Sequence, residues 1–230
     1  MSWQSPMGMD EYLRPTALCD CDNCVLKEKA FEITEGAEVP KEAAIRIFYF
    51  VRDKIAWGAD FLDAKASDTL KRGMGLCMNK ANLQIALLRA AGIPARYHRA
   101  DLKKESLKGL ILNIVYKGLP STISAHSWCE CYLFERWVSC EATLDETLYQ
   151  CAISSGLYSK QQIPTIEWNG ESHLILMTPW LSKDFGTSSS IDDTLKEAQL
   201  ELLPPKPITR MLCLLSNRFV TDKLREGKIH

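Results

Sequence analysis

The sequence predicts an α+β fold, helices packed against an antiparallel β-sheet, on three observations. Apolar residues recur at helical spacing through residues 40–55 and again through 77–91. Short apolar runs bounded by turn residues follow between 97 and 141, which is the pattern of strands. Hydrophobic residues make up 46% and charged residues 25% of the chain, the balance of a sequence that buries a core. At 230 residues it fits one domain. Within it we place a core at about 40–145, an N-terminal helical extension at 1–39 and a C-terminal elaboration at 146–230.

In chain order, residues 1–18 read as an irregular lead-in with Trp3 and Tyr12 as packing anchors. In CDCDNC (19–24) the thiols of Cys19, Cys21 and Cys24 stand at C-x-C-x2-C spacing. Zinc takes clustered thiolates, but a structural site wants four ligands and no second pair at ligand spacing closes it, so no metal is expected here. The segment reads instead as a helix start, with Asp22 or Asn23 capping VLKEKAFEIT and Gly36 ending it. Pro40 suits the first turn of the next helix, whose stripe of Ala44, Ile47, Phe48, Val51 and Ile55 faces the core until Trp57 and Gly58 end it. Ser67 is expected to cap a short helix that delivers Lys71 and Arg72 to a glycine turn. From Cys77 an amphipathic helix runs to Ala91-Gly92, with Ala81, Ile85, Leu88 and Ala91 on one face, Leu83 and Leu87 in a second row, and Gln84 interrupting one flank.

Strands are expected at 97–102 and 109–118 (GLILNIVYKG). A hairpin of SWCECYLF and RWVSCEAT follows, turning at Glu135-Arg136. Beyond Thr143, residues 144–160 read as helical or irregular, Asn169-Gly170 as a turn before the apolar run LILM, and GTSSS (186–190) as a flexible break. IDDTLKEAQLELL is expected to be a helix stopped by Pro204-Pro205, and ITRMLCLLSNRFVTDKLREG a closing amphipathic helix capped near Gly227.

Composition excludes several functions. The formal net charge is −1 with Lys and Arg scattered among Asp and Glu, so no basic stripe is available to a phosphate backbone and no nucleic-acid partner is expected. No run reaches the ~18 apolar residues of a membrane span, and the first residues lack a basic region followed by an apolar one, which makes the cytoplasm the expected location. Nine cysteines without framework spacing imply reduced thiols.

Chemistry concentrates at Cys77. A thiol where a glycine turn becomes a helix meets unpaired N–H groups and the positive end of the helix dipole, which favour the thiolate and suit a nucleophile. His126 opens the first strand of the hairpin and Glu141 closes the second. If the strands pair about 135–136, Glu141 lies opposite about residue 130, and the two side chains emerge at one edge if the hairpin carries an extra residue or a bulge. A thiol, an imidazole and a carboxylate are the nucleophile, base and orienting group that thiol chemistry requires. His98, His173 and His230 read as structural or solvated, and Cys129, Cys131, Cys140 and Cys151 as small core or edge residues.

Gly75-Leu-Cys77 with Ala81, LLRAAGIPAR at 87–96, His126-Ser-Trp128 with Glu130, Arg136-Trp137-Val138 and Glu141-Ala-Thr143 together resemble the core of the transglutaminase-like superfamily over about residues 40–145. The resemblance implies a papain-like arrangement in a stand-alone domain of bacterial or archaeal type. It also implies that Cys77 is the nucleophile, His126 the general base and acid, and Glu141 the group that orients the imidazolium. The superfamily usually has Asp in the third role, so Glu141 is a departure, and Asp145 is the fallback acid. The oxyanion donors it implies are the Cys77 amide and an upstream side chain, for which Trp57 is the candidate. The expected function is acyl transfer or hydrolysis on a peptide, protein or acyl-amide substrate through a thioester, with no cofactor. The alternatives are a non-catalytic binding or scaffold module of the same fold, or an amide synthase acting on a small-molecule or carrier-bound acyl group.

Overall fold

The computed structural model describes residues 7–192 and 206–227. Helix α1 (Cys24–Thr34) starts where Asn23 Oδ1 accepts the Val25 amide at 3.0 Å, as the capping pattern requires, and gives way at Gly36, whose φ is +73°. Helix α2 (Pro40–Lys54) buries Ala44, Ile47, Phe48 and Val51. It stops at Lys54, before the expected end at Trp57 and Gly58, because Ala56 and Trp57 leave to form strand β1 (Ala56–Trp57). Helix α3 (Ala66–Arg72) also corrects the sequence reading. Ser67 is inside it and is not its cap; the Asp20 carboxylate, from the segment before α1, takes the Ser67 amide at 3.1 Å and its hydroxyl at 2.5 Å. Strand β2 (Met74–Gly75) pairs in parallel with β1 and leads directly into helix α4 (Cys77–Ala90).

Helix α4 is the centre of the molecule, with every residue from Met78 to Arg89 buried. Helices α1, α2 and α3 pack on it from one side and the main sheet from the other. A helix covered all round needs apolar residues on more than one face, which the second row of Leu83 and Leu87 supplies. Its polar members are each given a partner: Gln84 Nε2 donates to the Cys140 carbonyl at 3.0 Å, and Asn82 Oδ1 accepts the Tyr97 hydroxyl at 2.7 Å.

The chain leaves α4 through Gly92 into strand β3 (Ala95–Lys103). The apolar run expected to be a second strand at 109–118 is instead a turn at Gly109 (φ +79°) and a short helix α5 (Asn113–Gly118). A short apolar run does not distinguish strand from helix by period; here Leu110 and Ile111 are buried while Ile114 is exposed. Strands β4 (Thr122–Leu133) and β5 (Arg136–Ser139) form the hairpin, followed by helix α6 (Glu146–Ser154), whose N-cap is Asp145. Residues 181–188, part of which was expected to be a flexible break, are strand β6 (Leu181–Ser188). It pairs with β3 in spite of its small polar residues because it is an exposed edge and needs no apolar face there. The sheet order is β5-β4-β3-β6, antiparallel throughout.

At the C-terminus, helix α7 (Lys206–Ser216) passes through a π-helical turn (Asn217–Thr221) into helix α8 (Asp222–Arg225), and Gly227 adopts φ +66° after it, as the closing-helix reading expects. The helix expected at IDDTLKEAQLELL lies, beyond Asp192, outside the described residues, as do Trp3 and His230. Tyr12 does anchor the lead-in, edge-on to Trp137 at 4.8 Å between ring centroids. No described helix is long and apolar enough to cross a membrane.

Candidate active site

Cys77 is the first residue of α4 and is half-buried. The start of the helix is fixed by Asn79, whose Oδ1 accepts the Leu76 amide at 3.0 Å while its Nδ2 donates to the Phe61 carbonyl at 2.8 Å. Gly75 is required for that geometry: a Cβ there would lie 2.6 Å from Asn79 Cβ. The glycine approach and the helix start together present the thiol, as the sequence indicated.

His126 comes from β4 and is almost fully buried. The hairpin turn is at Phe134-Glu135, both with positive φ, and not at 135–136, so Leu133 pairs with Arg136 and Glu130 with Ser139. Cys140 then donates its amide to the Cys129 carbonyl at 2.8 Å, which sets Glu141 level with Trp128, closer to His126 than expected and without any bulge between β4 and β5. Glu141 Oε1 lies 3.3 Å from His126 Nε2, and both side chains are shut off from solvent. The contact is an ion pair without hydrogen-bond alignment, since neither ring nitrogen nor Oε1 has an aligned partner among the described residues. Burial disfavours charge on the ring, but the neighbouring Cys77 and Glu141 side chains outweigh it and hold His126 up to about 10. With Nε2 facing Glu141, Nδ1 is the nitrogen left for Cys77. The other oxygen of Glu141 is committed: Oε2 accepts the Leu176 amide at 2.5 Å and the Met177 amide at 3.3 Å. Residues 174–177 are brought there by the pairing of Cys140 with Leu174.

Asp145, the fallback acid, has other partners. It caps α6 through the Leu148 amide at 2.9 Å, accepts the Trp57 amide at 2.9 Å, and pairs with Arg225 at 2.6 Å. Burial works against its charge, but Arg225, Lys80 and the Trp57 amide hold its carboxyl below the ordinary value. Arg225 also donates to the Trp57 carbonyl at 2.7 Å, so both backbone groups of Trp57 are clamped. Trp57 itself lines a small cavity beside Cys77 and His126. Lys80, on the turn of α4 after Cys77, is wholly buried and donates to the Ile55 carbonyl at 2.6 Å and the Arg52 carbonyl at 3.2 Å; burial pushes it down to about 7 against the pull of Asp145.

These two shifts act on stability with opposite signs. His126 is raised from 6.5, so its contribution is full below pH 6.5 and is lost as pH rises toward about 10. Lys80 is lowered from 10.5, so its burial penalty is felt below about pH 7 and relieved as pH rises toward 10.5. The two slopes therefore oppose each other between about pH 7 and 10. Lys80→Met should leave a stability that falls across this window, and His126→Phe one that rises. Urea midpoints measured at intervals of pH check this; parallel curves for the two variants would contradict it.

The sequence profile of the transglutaminase-like superfamily matches residues 27–142. The chain belongs to that superfamily. Among solved structures it is similar to a candidate cysteine protease from Cytophaga hutchinsonii, at 21% identity and TM-score 0.53 over 83% of this chain and 50% of that one. It is also similar to a candidate protease from Parabacteroides distasonis, at 13% identity and TM-score 0.38 over 57% of this chain and 24% of that one, a likeness too low to carry an argument. The chain spans about half the length of the Cytophaga protein, and that likeness shows the shared fold alone. No functionally curated protein matches the sequence.

The superfamily match ends at residue 142. Asp145, residues 174–177 and Arg225 therefore lie beyond it, and sequence reasoning did not find the last two. Asp145 entered the sequence reading only as the fallback acid; the structure makes it the N-cap of α6. Lys80 was hidden inside an amphipathic pattern and carried no signal. The other thiols take the structural places expected of them: Cys129, Cys131 and Cys140 are buried in the sheet, with Cys140 Sγ 3.9 Å from Cys131 Sγ, while Cys19 and Cys21 are buried and Cys24 is exposed. Among the described residues no cluster of three or more His, Cys, Asp or Glu could hold a metal ion. His98 is structural: its ring stacks on Trp128 at 4.2 Å and its nitrogens meet Glu130 at 2.9 Å and Asp184 at 2.8 Å. His173 Nδ1 accepts the Ser139 amide at 3.1 Å.

Proposed function

We propose that this transglutaminase-like chain is a cysteine enzyme that cleaves or transfers acyl groups from an amide or thioester, with Cys77 as nucleophile, His126 as base and acid, and Glu141 as the orienting carboxylate. The observation that carries the reading is a buried imidazole held between a helix-start thiol and a carboxylate whose second oxygen is anchored on two backbone amides. His126 takes the thiol proton and the thiolate attacks the carbonyl carbon. The resulting oxyanion is stabilised by the Cys77 amide, which as a first-turn N–H has no acceptor within its helix, with Trp57 as the second donor. Collapse expels the amine or thiol, which takes the proton from His126 and leaves a Cys77 thioester. Water, deprotonated by His126, then releases the acid and restores the thiol. An amine in place of water gives transfer, by the same first half-reaction.

The test is mass spectrometry after incubation with limiting peptide-like chloromethyl ketone near neutral pH. The adduct is expected on Cys77 ahead of the other eight cysteines. Labelling spread over the thiols, or concentrated at Cys19 to Cys24, would exclude Cys77 as the nucleophile.

A further inference from the structure

Ser106 stands at the cavity that opens beside the Cys77 thiol. The residue is 1% exposed, it lines the cavity together with Cys77, His126 and Trp57, and its hydroxyl has no hydrogen-bond partner among the described residues. A buried hydroxyl without a partner costs free energy and marks a place where a ligand group or a water completes it. The rest of the inner lining is apolar, chiefly Leu102, Leu107, Leu110 and Leu144. The cavity volume is about 30 Å³, room for one or two heavy atoms.

The size of this space is held by the tail of the chain. On one side, Arg225 holds the carbonyl of the lining residue Trp57 at 2.7 Å, and Asn217 pairs with both backbone groups of Ala59, two residues on, at 2.8 and 2.9 Å. On the other, Thr221 donates to the Leu110 carbonyl at 3.2 Å and Ser216 Oγ accepts the Leu112 amide at 3.4 Å. Behind Ser106, its carbonyl accepts the Tyr158 hydroxyl at 2.6 Å. The segment from Ser216 to Arg225 thus ties the two walls together through one buried and several half-buried hydrogen bonds, which resist widening of the cavity.

We infer that this cavity is the pocket for the side chain of the reacting acyl group, that it takes a side chain no larger than that of serine, and that the Ser106 hydroxyl recognises a hydroxyl on it. This rests on the proposed role of Cys77. A small tied pocket rejects larger groups by overpacking, and an unpartnered hydroxyl on a lining residue distinguishes a partner from an isostere without one.

N-acetylated aminoacyl chloromethyl ketones test the inference, with Cys77 alkylation followed by mass spectrometry and each rate divided by that of iodoacetamide on the same preparation. Glycyl, alanyl and seryl probes are expected to react at least about tenfold faster than leucyl and phenylalanyl probes. The seryl probe should exceed the 2-aminobutyryl probe, of equal size but without the hydroxyl, by about three- to tenfold. Ser106→Ala should erase the second preference and keep the first, and Leu110→Ala should raise the relative rate of the leucyl probe. Equal rates across the series, a preference for the bulky probes, or a seryl preference that survives Ser106→Ala would overturn the inference while leaving Cys77 as the nucleophile. Failure of iodoacetamide to select Cys77 in the wild-type protein would instead overturn the reading beneath it.

Discussion

Glu141→Gln is expected to reduce turnover by about 10⁴-fold while the protein stays folded. The reason is directional. In the wild-type protein Oε2 accepts two backbone N–H groups, from Leu176 and Met177, and Oε1 faces His126 Nε2. A glutamine must keep its oxygen on the two amides, because an NH₂ there would oppose two donors. Its NH₂ then faces Nε2, which can meet it only as an acceptor. The ring proton moves to Nδ1, on the Cys77 side, and an imidazole with Nδ1 already protonated cannot take the thiol proton. Glu141→Asp keeps the charge and restores the superfamily's usual residue, but the shorter side chain cannot span from the 176–177 amides to the ring, so a smaller loss is expected. Turnover of the best substrate found by probe labelling, together with circular dichroism of each variant, checks the order wild type, Asp, Gln. A Gln variant as active as wild type would remove Glu141 from the mechanism.

Asp145→Ala is expected to cost about 3–5 kcal/mol of stability, the penalty for removing one partner of a buried ion pair. Three groups lose an acceptor at once, the Arg225 guanidinium, the Trp57 amide and the Leu148 amide at the start of α6, and Lys80 loses the carboxylate whose field favours its charge. Asp145→Asn keeps an acceptor for the cap and should cost less. Urea unfolding gives both values. Turnover per folded molecule separates the two acids, since Asp145→Asn is expected to keep most of it while Glu141→Gln loses nearly all. The reverse pattern would make Asp145 the orienting acid. If Arg225 positions Trp57 through this cluster, Arg225→Ala should lower kcat more than it raises KM, and Arg225→Lys should recover part of the loss.

Cys77 was legible because a glycine turn before a helix leaves a trace, whereas His126 and Glu141 are expected from the sequence at the two ends of a hairpin and are not there: β4 begins at Thr122, four residues before His126, and β5 ends at Ser139, short of Glu141. What anchors Glu141 was not legible. The Leu176 and Met177 amides are backbone groups, and a backbone donor leaves no mark in the residue types around it. The hairpin register was off because Glu135-Arg136 looks more turn-like than Phe134-Glu135, yet the apolar Phe134 takes the positive φ and its side chain is exposed. Strand β6 escaped for the opposite reason, since an edge strand facing water needs no apolar alternation. The contacts of Asn217, Thr221 and Arg225 join residues far apart in the chain, and no local period reports them.

The claim that His126 activates Cys77 is tested most directly by the rate of Cys77 alkylation with iodoacetamide as a function of pH, read by mass spectrometry in the wild-type protein and in His126→Ala. An unassisted thiol with a pKa of about 8.5 is almost wholly protonated at pH 6 and alkylates slowly there. The wild-type protein is expected to keep a rapid alkylation plateau down to pH 6 and the folded His126→Ala protein to lose it, rising only toward alkaline pH. Superimposable profiles in two folded proteins would contradict the account.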